Sequence, residues 1–295
     1  MSGRGGGEGG SPAAPRASGA SGAAGARINK FISETGLCSR READKLIESG
    51  RVTCNGARAE LGTRVAVGDT VCIDGTPLAA RKPPVYLALH KPVGITCTTE
   101  AHVEGNIVEF VGHPERIFPI GRLDKDSQGL ILLTNDGDIV NEILRAENAH
   151  EKEYLVTVNR PITDLALKML ADGVKIMGEK TRPALVSRID PRSFRMILTQ
   201  GLNRQIRRMC SALGYRVESL KRVRIMNVHL GKLAPGQWRD LTRAEVDQLL
   251  SSLAAPPAAR RPTTAAPPAT ATRDPAHARR PSGRNPRPDR PSRPG

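Results

Sequence analysis

Two carboxylates, Asp124 and Asp126, stand two residues apart in GRLDKDSQGLILLTNDGD (121–138), between Arg122 and the apolar run Leu130 to Leu133. A carboxylate serves chemistry as a general base, as a nucleophile or, in pairs, as a cation ligand. Most acidic residues of this segment have a structural use. Asp126-Ser127 reads as turn material, Thr134-Asn135-Asp136-Gly137 as a turn from strand to helix, and Asp138 as a helix cap. Asp124 alone lacks an obvious one: it reads either as a solvated loop aspartate or partner for Arg122, or as a group for chemistry. A magnesium-dependent nuclease built on Asp124 and Asp126 is the metal alternative, although the spacing beyond them matches no calcium loop.

Three other segments carry charge or aromatic groups at telling positions. GLNRQIRRMCSALG (201–214) predicts a helix capped by Asn203 and ended by Gly214, with Ile206, Met209, Cys210 and Leu213 facing inward. At about 100° per residue, Arg204 and Arg208 point away from that stripe and suit phosphates. Arg207 lies at its edge, where a charge needs a partner such as a buried carboxylate, unless it snorkels to water. In HEKEYLVTV (150–158), Tyr154 heads a strand. Aromatic residues are only 3% of the chain, so a tyrosine bordering a basic groove is a candidate for stacking on a base, with plain packing as the alternative. SLKRVRIMNV (219–228) carries Lys221, Arg222 and Arg224, and is assigned to a sheet edge lining a nucleic-acid groove or protected by its charge.

The elements that must position these residues are short. Apolar, β-branched stretches occur at 130–133, 154–158, 184–189 and 194–199, and VYLALHKPVGITCT reads as two strands about a turn at Pro92-Val93-Gly94. Helical patterns intervene at 138–145, 163–171 and 203–213. Strands outnumber helices without an even strand–helix–strand repeat. This predicts an α+β domain with a mixed, mainly antiparallel sheet over residues 81–253, after a Pro-rich link at 81–84. Residues 27–80 predict a smaller unit. Ile28, Phe31 and Ile32 make one helix, stopped at Gly36, and Ser39 with Glu42 forms a capping box for a second whose stripe is Ala43, Leu46 and Ile47. Two short hairpins turn at Asn55-Gly56 and Asp74-Gly75. Arg27, Lys30, Arg40, Arg41, Lys45 and Arg51 crowd this unit, which favours phosphate binding over an ordinary solvated face.

Composition sets the outer bounds. The chain has 295 residues and a formal net charge of +15, which points to a polyanionic partner. Residues 1–26 (Gly, Ala, Ser) and 254–295 (Ala, Pro, Arg) bury too little to offset ordering and are expected to be disordered. The second tail is either an electrostatic arm or a solubilising one. No apolar run is long enough to span a bilayer, no secretory leader is evident, and the five scattered cysteines make no C-x-x-C pair. A cytoplasmic protein with reduced thiols and no metal site is expected.

RINKFISETGLCSRREADKLIESGRVTCNG together with VGDTVCIDG resembles the RNA-binding domain named after small-subunit ribosomal protein S-four. RIFPIGRLDKDSQGLILLTNDGD, HEKEYLVTV and QGLNRQIRRM followed by LGYRVESLKRVRIMNVHLGKLAPGQWRDLT closely resemble the RsuA-like branch of the pseudouridine synthases, nearest its RluF-type members. The resemblance covers residues 27–250 and implies an S-four-like RNA-binding domain followed by a pseudouridine synthase catalytic domain. It implies that Asp124 is the catalytic aspartate, that Arg207 keeps it charged, and that Tyr154 stacks on the base and assists late proton removal. Arg122 then flips the nucleotide or holds a phosphate. The implied reaction breaks the bond from uracil nitrogen to ribose, turns the base and rejoins it through a ring carbon, with no metal or cofactor. Asp124 either attacks the sugar or abstracts its neighbouring proton, the family favouring the second, glycal route. A monomer acting on 23S rRNA or its precursor is implied, with tRNA as a second candidate substrate. The rival from another class is a non-catalytic RNA-binding or ribosome-assembly factor, which has no need of Asp124, Tyr154 and Arg207 together.

Overall fold

A computed structural model describes residues 25–79, 82–100, 102–145 and 149–254. The two segments expected to be disordered lie outside the described residues, apart from Gly25, Ala26 and Ala254. The described residues divide into two compact units, with 25–33 and 38–79 in the first and 34–37 and those from 82 onward in the second.

In the first unit, β1 (Ala26–Arg27) leads into α1 (Ile28–Glu34) and α2 (Arg40–Glu48). The capping box at α2 forms as expected: the Glu42 N–H donates to Ser39 Oγ at 3.2 Å and the Ser39 N–H to Glu42 Oε2 at 2.6 Å. Then follow β2 (Val52–Cys54), β3 (Ala57–Arg58), β4 (Arg64–Val65), β5 (Val71–Ile73) and β6 (Thr76–Pro77). Strands run β3-β2-β5-β6 in an antiparallel sheet, while β1 pairs with β4. Asn55-Gly56 and Asp74-Gly75 are the two hairpin turns, and all four residues have positive φ, as a type I′ turn requires. Ile28, Ile32, Ala43, Ile47, Val52 and Val71 close the core.

The second unit is built on one nine-stranded mixed sheet. Its elements are β7 (Tyr86–Lys91), α3 (Ile107–Val111), β8 (Phe118–Ile120), β9 (Gln128–Thr134), α4 (Gly137–Leu144), β10 (Lys152–Val158), α5 (Asp164–Asp172), β11 (Lys175–Ile176), β12 (Glu179–Lys180), β13 (Leu185–Asp190), β14 (Ser193–Leu198), α6 (Gln205–Ala212), β15 (Val217–Ile225), β16 (Val228–His229), β17 (Trp238–Asp240) and α7 (Arg243–Ala254). The strand order is β13-β14-β10-β15-β9-β7-β17, with β8 on β9 and β16 on β15. Only β9–β15 is parallel; the remaining pairs of the sheet are antiparallel.

The unbroken run Leu130–Leu133 has a simple cause: β9 is covered on both faces. Leu130 and Leu132 pack with Ala88 and α4 residues Ile139 and Ile143, whereas Ile131 and Leu133 pack with Leu87, Leu89 and α3. The other half of the sheet carries α5 and α6 over Val156, Phe194, Met196 and Leu198.

Several expectations are corrected. The segment 219–228 is no sheet edge: β15 lies in the middle, between β10 and β9. No second strand follows the Pro92-Val93-Gly94 turn. Thr96 instead bonds the loop before α3, accepting from Ile107 and donating to Gly105, and makes one isolated bridge with Asn106. Asp136 rather than Asp138 caps α4. At α6 the N-cap is Arg204 in a left-handed conformation, while Asn203 accepts a bond from Arg208. Tyr154 is the third residue of β10, not its first. Helices α3 and α7 add to the expected elements, and Thr242 and Glu245 form a capping box at the start of α7.

Candidate active site

Asp124 sits in the loop 121–127 between β8 and β9, and this loop is held from three sides. From below, Leu123 is buried in the core beside Ile131, and its N–H donates to Cys97 Sγ at 3.4 Å. From β7, Lys91, fully buried, extends Nζ to the carbonyls of Pro92 (2.8 Å) and Ser127 (2.9 Å). Burial lowers the Lys91 ammonium's pKa, while Cys97 and the carboxylates of Asp124 and Asp126 act the other way. The Gly94 N–H also reaches the Lys125 carbonyl at 2.8 Å. From α6, Arg207 Nη2 donates to Asp126 O and Ser127 Oγ, both at 2.9 Å.

The acidic pair thereby meets two arginines. Arg204 makes a two-pronged contact with Asp126, at 3.2 and 2.9 Å, and its Nη1 lies 3.5 Å from Asp124 Oδ2. Arg207 Nε lies 3.5 Å from Asp126 Oδ2 and 4.0 Å from Asp124 Oδ2, and this buried nitrogen has no hydrogen-bond partner among the described residues. The Arg204 bond holds the Asp126 carboxyl below the usual carboxylate range. Asp124 has the looser contacts of the two, and its side chain is 30% exposed. Charge placement disfavours a cation shared by both carboxylates. Among the described residues no group of three or more His, Cys, Asp or Glu side chains converges on one point.

A cavity of about 280 Å³ opens beside Asp124. Its walls include apolar Leu198, Leu202, Ile206 and Leu220, with Arg122, Tyr154, Gln200, Gln205 and Arg222 as polar members. The parallel seam between β9 and β15 needs Gly129. Its φ is +114°, and an added Cβ would fall 2.2 Å from the Arg222 carbonyl oxygen. This close approach brings Arg222 under the loop, where Nε donates to Leu130 O at 2.7 Å and Nη1 to Arg122 O at 3.4 Å.

The residues singled out from sequence therefore separate. Asp124, Tyr154, Arg122, Arg204 and Arg222 meet at the cavity, and Arg207 braces the loop behind it. Arg204 bonds the carboxylates although its side chain is 42% exposed, and Arg208 is exposed as well. Lys221 lies opposite Leu155 on the other sheet face. A β-bulge at Val223 sets Arg222 opposite Tyr154 but Arg224 opposite Glu153, so these two arginines also take opposite faces. Arg224 is buried and bonded to Glu151 (3.0 Å) and Glu153 (2.8 Å). In the first unit Arg27, Arg40, Arg41 and Lys45 are exposed, Lys30 is partly buried, and Arg51 pairs with Asp74. Sequence reasoning missed Lys91, Gly129, Lys152 and Gln205. A glycine inside an apolar strand is a recognised sign of close backbone approach and marks Gly129; a lysine ending the apolar run YLALHK is the only trace of Lys91.

The mixed-sheet domain thus joins an aspartate-bearing loop, two arginines and a cavity of about 280 Å³ in one site. The model for RNA pseudouridylate synthase matches residues 85–212, and that for the S4 domain matches residues 26–71. The chain is 55% identical over 247 residues to the dual-specificity RNA pseudouridine synthase RluF of Salmonella typhi, covering 81% of this chain and 86% of that protein. It is 35% identical over 232 residues to the ribosomal large subunit pseudouridine synthase B of Bacillus subtilis (strain 168), covering 76% and 95%. A crystal structure of a pseudouridylate synthase aligns with a TM-score of 0.57 at 31% identity, over 76% of this chain and 99% of that one. The chain belongs to the pseudouridine synthase family of the RsuA and RluF type, and is an RNA pseudouridine synthase.

Proposed function

We propose that this enzyme isomerises a specific uridine of large-subunit (23S) rRNA, with a tRNA as second substrate, using Asp124 and no cofactor. The names of its relatives support the substrate: one is a dual-specificity RNA enzyme and another acts in the ribosomal large subunit. The single observation that carries the chemistry is the position of Asp124. It is a partly exposed carboxylate at a cavity, fixed by backbone bonds and faced by arginines at 3.5 and 4.0 Å. A carboxylate so placed is within reach of a group in the cavity as a base or nucleophile.

In this reading RNA is first gathered by charge. Arg40 and Arg41 lie in the first turn of α2, where the helix dipole disfavours cations, so their placement suits a polyanion better than it suits the helix. The target nucleotide leaves its stack, Arg122 follows it into the duplex or holds its phosphate, and the base enters the cavity against Tyr154. Asp124 then attacks the sugar or takes its neighbouring proton, and Arg207 keeps the loop in register throughout. A monomer in the cytoplasm suffices for this, as the site is formed within the second unit. Among the described residues no helix is long and apolar enough to cross a membrane.

The test is release of tritium from RNA labelled at uracil carbon five, in EDTA, with the wild type and Asp124→Asn. The expected outcome is release from 23S transcripts by the wild type alone, with RNA binding retained by the variant. Equal release by both would remove Asp124 from the chemistry; release only from other RNA would overturn the substrate.

A further inference from the structure

Lys152 opens β10 between Leu198 of β14 and Ile225 of β15, and its side chain borders the cavity that also holds Asp124. Among the described residues its Nζ donates to the His150 carbonyl at 3.2 Å. Arg222 forms part of the same wall and is only 4% exposed. Its Nε and Nη1 are used on backbone carbonyls, but buried Nη2 has no hydrogen-bond partner among the described residues. Neither cation is within ion-pair distance of a carboxylate among the described residues. Arg224, two positions along the strand, is by contrast neutralised by Glu151 and Glu153. Two uncompensated cations in a confined, half-apolar space repel one another. Burial first, and Arg222 second, bring the Lys152 ammonium down to about 8.

An anion arriving between them would satisfy the free donor and relieve the repulsion. Isomerisation makes such an anion whichever way Asp124 acts. When the bond from C1′ to N1 breaks, its electron pair leaves with the ring, and the negative charge spreads over N1 and the two carbonyl oxygens. When C5 then bonds to C1′, the ring's electron pair forms that bond and the charge is gone; C5 afterwards gives up its proton while N1 takes one up. Resting on the uridine reading above, we propose that Lys152 and Arg222 form the anion-receiving wall of the cavity, holding the detached uracil ring by a carbonyl oxygen until C5 rejoins the sugar. Lys152 is thus a catalytic residue of the ring-detached stage, separate from the Asp124 machinery. The same two donors hold the free ring while it turns, so that it neither escapes nor takes up a proton from water.

The charged and titratable groups that share the cavity with Lys152 are Arg122 and Asp124 from the loop, Arg204 before α6, Arg222 on β15 and Tyr154 on its own strand. Lys152, brought down to about 8, loses its charge in mildly alkaline solution. The experiment is single-turnover tritium release at saturating RNA, across a pH range spanning 8, for the wild type, Lys152→Arg and Lys152→Met. The wild-type rate should fall as pH rises through about 8. Lys152→Arg, which stays charged, should lose that fall and keep a rate within about tenfold of wild type. Lys152→Met should be slower by roughly 10²-fold or more with RNA affinity unchanged, the effect of removing one donor to a developing anion. A Lys152→Met enzyme at the wild-type rate, or an unchanged alkaline fall in Lys152→Arg, overturns the proposal. If Lys152→Met no longer binds RNA, the pH profile of Lys152→Arg decides: a flat profile supports the proposal and an unchanged fall overturns it. Absence of release by the wild type overturns the uridine reading, and this one with it; release by the wild type with indifferent variants overturns this one alone.

Discussion

Arg204 and Arg207 are one helical turn apart, yet they do different work on the same two aspartates. Arg204 meets carboxylate with carboxylate-binding geometry, on Asp126. Arg207 meets backbone and hydroxyl, at Asp126 O and Ser127 Oγ, and so fixes where the loop lies. A lysine at 207 keeps the charge, but its single nitrogen cannot meet those two acceptors and also keep the Nη1 bond to the Val217 carbonyl at 3.3 Å and the Nε facing Asp126. Arg207→Lys should therefore slow single-turnover isomerisation at saturating RNA by roughly 10- to 10²-fold, the scale of a small misplacement of a reacting group. Arg208→Ala is the companion: among the described residues this exposed side chain bonds Asn203, and its loss should leave the saturated rate alone and weaken RNA binding. Equal slowing in both variants would mean that Arg207 acts as one more surface charge.

At the level of elements, the site depends on two backbones that nearly touch. The parallel seam between β9 and β15 pairs only Gln128 with Lys221 and Gly129 with Arg222. A side chain at 129 meets Arg222 backbone within 2.5 Å at two atoms, in a φ region that L residues avoid. Gly129→Ala should cost about 3 kcal/mol or more of stability, measured by urea unfolding, because neither strand can retreat from a core packed on both faces. A wild-type midpoint would show that the strands can part. The bulge at Val223 is the second device of this kind. It turns Arg222 to the cavity and Arg224 to its glutamates, where plain strand alternation would set both on one face.

Across the whole molecule, charge is spread far beyond the catalytic unit. Residues 255–295 carry nine arginines against two aspartates. Removing them should weaken RNA affinity and flatten its dependence on salt, since fewer counterions are released on binding, while turnover at saturating RNA persists. Binding titrations at several salt concentrations would measure this; an unchanged slope would make the segment a solubilising one, and loss of all turnover would give it a part in the chemistry.

Much was legible in the sequence because local physics fixes it. The Ser39–Glu42 box, the Asn55-Gly56 and Asp74-Gly75 turns and the apolar periods of β9, β10 and α6 depend on near neighbours, and each appears where its residues require. Asp124 stood out for a similar reason: every other acidic residue around it had a local use. What the chain alone does not express is contact at long range. Arg204, left-handed at the head of α6, swings onto aspartates some eighty positions earlier. Lys91 clamps a loop from beneath, and 219–228 turns out to be central because β9 lies beside it. Which arginine meets which carboxylate, and which face of β15 meets the cavity, were decided by how the strands pair across the sheet. Such pairing joins residues far apart in sequence, and a single bulged residue reverses the face of every side chain beyond it.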